Sequence, residues 1–349
     1  MNAGVLYALS SAVLFGLSTP LAKLLLGQIA PLMLAGLLYL GSGFGLLLWF
    51  MLRRTYGESE SGATRLLRAD MPWLAAAVLA GGVAGPALLM LGLSLTAAAA
   101  ASLLLNLEGV FTAALAWFVF KENFDRRIFL GMLCIVIAGA LLSWQPATHA
   151  GLAWGTLAIV GACLCWAIDN NLTRKISASD AVQIACIKGL VAGSINLAIA
   201  LAAGAVVPGP VQVSAAGLLG FVGYGLSLVL FVLALRHLGT ARTGAYFSAA
   251  PFVGALIALL LPGEAPGLLF WIAAALMALG LWLHLSEHHS HPHQHQPMQH
   301  AHSHVHDEHH QHRHDFAWDG REPHVHEHAH GALSHEHPHF PDIHHQHGN

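Results

Sequence analysis

Charge is scarce in this sequence: Asp, Glu, Lys and Arg together make up 9% of its 349 residues, against 56% hydrophobic side chains. A soluble globular domain carries about a quarter charged residues, so the principal solvent and partner here is a lipid bilayer. The formal net charge is only −3, and no nucleic-acid partner is expected. Cysteine is also sparse. Cys134, Cys163, Cys165 and Cys186 all lie inside apolar runs and form no CxxC pair, which excludes a secreted disulfide framework. Two residues apart on a helix, Cys163 and Cys165 face nearly opposite ways and cannot chelate one metal together. The N-terminus has no basic stretch ahead of its first apolar run. A cleavable leader is therefore not expected, and the first helix serves as its own targeting signal.

What is present is a series of long apolar runs. A helix needs about 20 apolar residues to cross the hydrocarbon core. Ten spans are read near 4–26, 30–52, 72–92, 97–120, 127–145, 152–172, 181–206, 214–235, 240–261 and 266–284. Basic residues sort to one side. Arg53, Arg54, Arg65 and Arg68 follow span two, and Lys121, Arg126 and Arg127 follow span four. Arg174 and Lys175 follow span six, and Arg236 and Arg242 surround the junction of spans eight and nine. The opposite loops hold no Lys or Arg. By the positive-inside rule this is a multi-pass protein of the cytoplasmic (bacterial inner) membrane with both termini cytoplasmic.

The runs repeat. Displaced by 142 positions, Glu122 falls on Glu264, Phe111 on Val253 and Gly109 on Pro251; the first helix of each half also corresponds, at its own displacement of about 151, Gly4…Phe15-Gly16…Lys23 resembling Gly155…Trp166-Ala167…Arg174. Five spans per half is an odd number, so the second half lies upside down relative to the first. Inverted repeats are an architecture of secondary carriers, with substrate sites near the midplane between them. The fold class expected is an all-α membrane protein of two inverted five-helix repeats, 1–146 and 147–284, followed by a disordered His-rich tail, 285–349.

Leu103-Leu104-Leu105-Asn106-Leu107-Glu108-Gly109-Val110-Phe111, followed by Lys121-Glu122, resembles the fourth-helix motif of the drug/metabolite transporter superfamily, specifically proteins with two EamA-type domains. That motif has a Glu-Pro pair before an apolar run ending in Gly-Glu. Gly109 stands here where Pro is usual and Lys121 where Gly is usual. In the second half Pro251 is kept and Ala250 replaces the acid. The resemblance covers residues 4–284 and implies export or uptake of amino acids, nucleobases, drugs or similar small solutes.

Ionisable groups inside spans cost about 2.5–3.5 kcal/mol each on insertion scales, which marks them as functional candidates. Glu108 lies halfway along span four, suited to binding a substrate amine or carrying a coupling proton. Asp169, within Trp166-Ala167-Ile168-Asp169-Asn170-Asn171, and Lys188 stand at similar depth on neighbouring spans, placed for an ion pair that locks the helices or gates the cytoplasmic mouth. Asn106 and Asn170 complete the substrate and coupling set. Lys23, near the outer end of span one, is expected to snorkel outward. Gly41-x-x-x-Gly45, Gly81-x-x-x-Gly85 and Gly189-x-x-x-Gly193 permit close helix packing. Pro20, Pro86 and Pro251 free backbone carbonyls inside spans.

All but three of the 26 histidines (His149, His237 and His284) fall after residue 285. That tail has few aliphatic residues and cannot bury a core. Its His-x-His pairs at His300, His302, His304 and His306, at His326, His328 and His330, and at His335, His337 and His339 suit Zn²⁺, Ni²⁺, Co²⁺ or Cu²⁺. His326–His330 and His335–His339 formally match H-E-x-x-H, but that motif needs a stable helix, and Pro338 lies in the second. No enzyme and no required cofactor is expected. The reading is a secondary transporter, an exporter of small organic metabolites or drugs, with a metal-binding tail. The alternatives are a transition-metal exporter and a metal-sensing or storage protein.

Overall fold

The computed structural model describes residues 3–55, 66, 68–120, 126–143, 150–176, 179–261 and 266–285, and the backbone of 290–295, 298–304, 324–330 and 333–338. Through residue 285 the described chain is all-helical: α1 (Ala3–Leu26), α2 (Pro31–Thr55), α3 (Met71–Ala77), α4 (Gly85–Leu95), α5 (Ala98–Leu104), α6 (Leu107–Phe120), α7 (Arg126–Ser143), α8 (Ala150–Ile176), α9 (Ala181–Ala202), α10 (Pro210–Gly220), α11 (Ser227–Phe247), α12 (Ala250–Ala258) and α13 (Leu268–Leu285). Among the described residues six stretches are long and apolar enough to cross a membrane: Ala3–Leu26, Pro31–Leu52, Met71–Leu95, Trp154–Thr173, Ala181–Ala202 and Pro210–Ala234. Shorter apolar helices lie at Ala98–Thr112, Phe129–Leu142 and Leu268–Leu283. The outward surface is itself apolar, with Phe44 60%, Leu218 65% and Trp154 66% exposed. In water such a surface would drive association. This is a multi-pass membrane protein.

Two π-helical segments interrupt the helical ladder, Val78–Ala84 between α3 and α4 and Phe221–Leu226 between α10 and α11. They stand 142–143 residues apart, the same displacement as the sequence repeat. In the first, the Gly85 N–H bonds five residues back to the Ala80 carbonyl, and Pro86 has no N–H to offer the next ones. The carbonyls of Gly81 and Gly82 are thereby released, and side chains from other helices take them up. The Tyr39 hydroxyl and the Trp166 indole N–H both donate to Gly81 O at 2.9 Å, and Asn196 Nδ2 donates to Gly82 O at 3.1 Å. In a medium without water a freed carbonyl needs such a partner. Pro86 thus becomes a tie between α4, α2, α8 and α9.

The fourth span is broken where the sequence suggested one helix. After α5 the chain tightens into i→i−3 bonds (Asn106 N–H to Leu103 O, Glu108 N–H to Leu105 O) before α6 begins. The second half breaks at the corresponding place, between α11 and α12. There the Ser248 hydroxyl bonds Gly244 O, and Pro251, lacking an N–H, ends the ladder at Phe247. Residues 227–247 are helical throughout, yet the rings of Phe231 and Phe247 lie 4.9 Å apart. Sixteen residues of straight helix would separate them by about 24 Å, so the chain doubles back inside α11, at the expected junction of spans eight and nine.

Glycine sets the closest helix approaches. α2 and α9 run antiparallel: Gly36 faces Leu197, Leu40 faces Gly193, and Gly43 faces Leu190. A Cβ added at Gly43 would stand 2.5 Å from the Leu190 nitrogen. Gly81 and Gly85 abut Asp169 and Trp166 of α8, and Gly41 and Gly45 abut Gly217 and Phe221. All three Gly-x-x-x-Gly pairs are consumed in internal packing. Beyond these contacts, α1 packs on α11 and α7 on α13.

Of the basic residues that set the expected orientation, Arg65 and Lys121 lie outside the described residues, as do His306 and His339. The tail differs from the structureless chain its composition suggests in four short segments. Strands β1 (Ser290–His295) and β4 (Leu333–Pro338) pair antiparallel, as do β2 (Met298–His304) and β3 (His324–His330). An alternating His-x chain suits an extended backbone, and antiparallel pairing lets two such segments satisfy each other's N–H and C=O groups. The register sets His300 opposite His328 and His302 opposite His326.

Candidate functional site

A cavity opens at the centre of the helical assembly, with about 660 Å³ of space between its walls, its open side included. α1, α2 and α6 contribute Phe15, Tyr39 and Glu108, and α8 contributes Trp166, Asp169 and Asn170. Lys188 of α9, Tyr224 of the second π segment and Phe231 and Phe247 of α11 close the remaining wall. Both halves of the chain therefore build one site.

Glu108 sits in the first turn of α6 because the span is interrupted just before it. The break turns a mid-span residue into one in the first turn of a helix, where the helix dipole favours a carboxylate. Its Oε1 accepts a 2.7 Å hydrogen bond from Asn170 Nδ2, which ties α6 to α8. Gly109 beside it meets no atom within 4 Å of an added Cβ. The chain therefore has open space where the family motif carries Pro.

Asp169 and Lys188 form the ion pair their depth suggested. Lys188 Nζ lies 2.6 Å from each Asp169 oxygen, with side chains 4% and 9% exposed. The Thr173 hydroxyl donates to Asp169 Oδ1 at 2.8 Å and accepts from Lys188 at 3.3 Å. A buried pair holds its place only when its remaining valences are met, and Thr173, one turn beyond Asp169, meets one of them. Gly81 packs directly on the Asp169 carboxylate. Asp169 is thus held inward.

Asn106 stands apart from these groups. Buried at 6% exposure, it donates to Leu103 O at 3.0 Å and lies 3.7 Å from Met277 Sδ; it secures the break in span four and is not part of the cavity wall. Lys23, near the outer end of α1, is engaged by the protein. Its ammonium donates to the carbonyls of Leu93 at 2.6 Å and Thr96 at 2.9 Å, a cation capping the C-terminal end of α4. Cys163 is buried and Cys165 half-buried, both free thiols. Among the described residues no group of three or more His, Cys, Asp or Glu is placed to hold a metal ion.

The sequence reading missed the aromatic walls. Phe15 makes edge contacts with Trp166 (ring centroids 5.9 Å) and Tyr224 (5.8 Å) and a tilted contact with Phe247 (5.5 Å), while Tyr39 meets Tyr224 at 5.4 Å. A signal was there: Phe15-Gly16 and Trp166-Ala167 occupy matching places in the two repeats, and these two rings are the ones in contact across the site.

Two stretches of the chain, residues 2–144 and 153–286, match the EamA-like transporter family. An "Uncharacterized transporter" of Methanothermobacter thermautotrophicus is 26% identical over 298 residues, covering 80% of this chain and 85% of that protein. A solved crystal structure superposes with a TM-score of 0.61 at 17% identity, covering 81% of this chain and 95% of its own. At that identity the likeness speaks to the fold alone. The two matched stretches take in most of the chain and nearly all of its described helices: it belongs to the EamA-like transporter family and carries two EamA-type units.

Proposed function

We propose that this chain is a secondary carrier that exports small organic metabolites or drugs across the cytoplasmic membrane. Its ten spans form two inverted five-helix repeats, 1–146 and 147–284, and the tail from 285 binds metal ions on the cytoplasmic side. The observation that carries the reading is the cavity. It lies between the halves, draws its wall from corresponding helices of each, and holds one half-buried carboxylate, Glu108, that a purely structural interior has no use for. Inversion is supported by the antiparallel contact of α2 with α9, which occupy the same place in their repeats. The paired π segments and the paired breaks at Asn106 and Ser248 support it as well. In such carriers broken helices and midplane sites occur together.

Glu108 acts as the substrate or coupling group, Asn170 orients it, and the Asp169–Lys188 pair ties α8 to α9 beside it. The test is an untargeted comparison of solutes retained by cells with and without the gene, followed by flux of the solutes found in proteoliposomes. Glu108→Gln should insert normally and lose at least about tenfold of that flux, since a conservative swap at the site removes charge and little volume. Flux unchanged in the variant would reduce Glu108 to a structural residue. A second reading, transition-metal export or metal sensing, draws on the histidine register of the tail strands. Zn²⁺ or Ni²⁺ movement by the intact protein, with no organic solute moved, would replace the first reading.

A further inference from the structure

We infer that the cavity selects organic monocations, molecules with a quaternary or protonated nitrogen on an aromatic or branched apolar body. The inference rests on the carrier reading of the cavity and adds the charge and shape of its occupant. The charge balance comes first. Of the three acidic or basic side chains among the described lining residues, Asp169 and Lys188 neutralise each other at 2.6 Å. That leaves Glu108 as the one charge among the described lining residues without an opposite charge. One of its oxygens is held by Asn170; the other takes no hydrogen bond from the described residues, and the side chain lines the cavity. An anion entering would face Glu108 with no unpaired cation among the described lining residues to receive it. A divalent metal ion would find Glu108, an Asp169 already held by Lys188, and no histidine or cysteine among the described lining residues, too few free ligands to replace its water.

The rest of the wall suits a soft cation. Phe15, Tyr39, Trp166, Tyr224, Phe231 and Phe247 form a nearly continuous chain of ring contacts around the cavity. Their negative faces attract a cation with little cost of dehydration when its charge is spread over alkyl groups. A compact, strongly hydrated ammonium such as Lys carries would gain less. Glu108 supplies the net charge and the rings supply surface for the body. Because the wall holds a single uncompensated charge, one positive charge per ligand is the best match.

The test uses two probes of one shape. 4-Hydroxyphenyltrimethylammonium and 4-tert-butylphenol differ in a charged nitrogen against a carbon. Binding of each to the full-length protein in lipid nanodiscs is measured by calorimetry, with benzenesulfonate as the anionic probe. The cation should bind at least about tenfold more tightly than its uncharged twin, benzenesulfonate should not compete, and Glu108→Gln should remove the preference for charge. Equal affinity for the twins, or tighter binding of the anion, overturns the inference, and that comparison needs no variant to fold. Proteoliposome flux separates this outcome from the fate of the carrier reading. Flux of neutral or anionic solutes without cation preference sinks the cation class and leaves the carrier. Tight cation binding lost in Glu108→Gln, with no solute ever moved, sinks the carrier and leaves the cation site.

Discussion

Lys188 carries its ammonium where side-chain exposure is 4%, and it tolerates that position because Asp169 and Thr173 meet it on one side. The pair is a poor source of net stability, since stripping water from both ions offsets most of their attraction. Removing one partner is a different matter. Lys188→Met should cost about 3–5 kcal/mol, because Asp169 is left charged and dry, while Lys188→Met combined with Asp169→Asn should recover much of the loss. Thermal unfolding of the three purified proteins measures this. A double variant no more stable than the single one would show that the pair's geometry matters more than its charge. Depth along the spans made the pairing of Asp169 and Lys188 legible in the sequence. The bond from Asn170 to Glu108 was not, because it depends on which face of α8 turns toward α6.

At the scale of the helix, proline and glycine act together. Pro86 releases the Gly81 and Gly82 carbonyls, and three side chains from α2, α8 and α9 gather on them. Asn196 is the one whose contribution separates most cleanly, since it donates to Gly82 alone. Asn196→Leu should destabilise the protein by about 1–2 kcal/mol, the cost of leaving a buried carbonyl unmet. In a Pro86→Ala background the restored N–H can serve Gly82 from within the helix, so the same substitution should cost less. A full penalty in both backgrounds would show that Asn196 acts through packing. The prolines could be read as ladder interruptions from sequence. The π segment ahead of Pro86 could not, because it depends on how far the chain must rotate to bring Gly81 against Asp169. The break in span four was likewise hidden, since Leu, Asn and Glu all sit readily in a helix and only the neighbouring helices decide otherwise.

The molecule as a whole joins a helical membrane part to a tail of different chemistry. Truncation after Ser286 should leave an inserted, folded protein, because α1 to α13 satisfy their own backbone groups and the tail offers no apolar face. The same truncation should abolish tight Ni²⁺ or Zn²⁺ binding, measured by equilibrium dialysis on the purified protein. Unchanged metal affinity would place the ligands elsewhere in the chain. Orientation rests on the Lys and Arg asymmetry, and labelling of single cysteines at positions 60 and 148 should find them on opposite sides of the membrane. The same side for both would overturn the topology.

The sequence alone determined that this is a helical membrane protein, roughly where its helices lie, that its two halves are related, and to which family it belongs. Those properties follow from composition and periodicity, since lipid demands long apolar segments with their backbone bonds closed internally. It also singled out Glu108, Asp169 and Lys188, because charge is conspicuous where charge is expensive. Only the tertiary structure decided that six aromatic rings converge beside Glu108, that Lys23 caps a helix end, and that Asn106 belongs to a helix break and not to the site. An apolar span is apolar all round, so its sequence does not mark which face meets lipid and which meets a neighbour. That choice is made by close packing, where glycines at Gly43, Gly81 and Gly189 let neighbouring helices approach closely and so help fix how α2, α8 and α9 are turned about their axes.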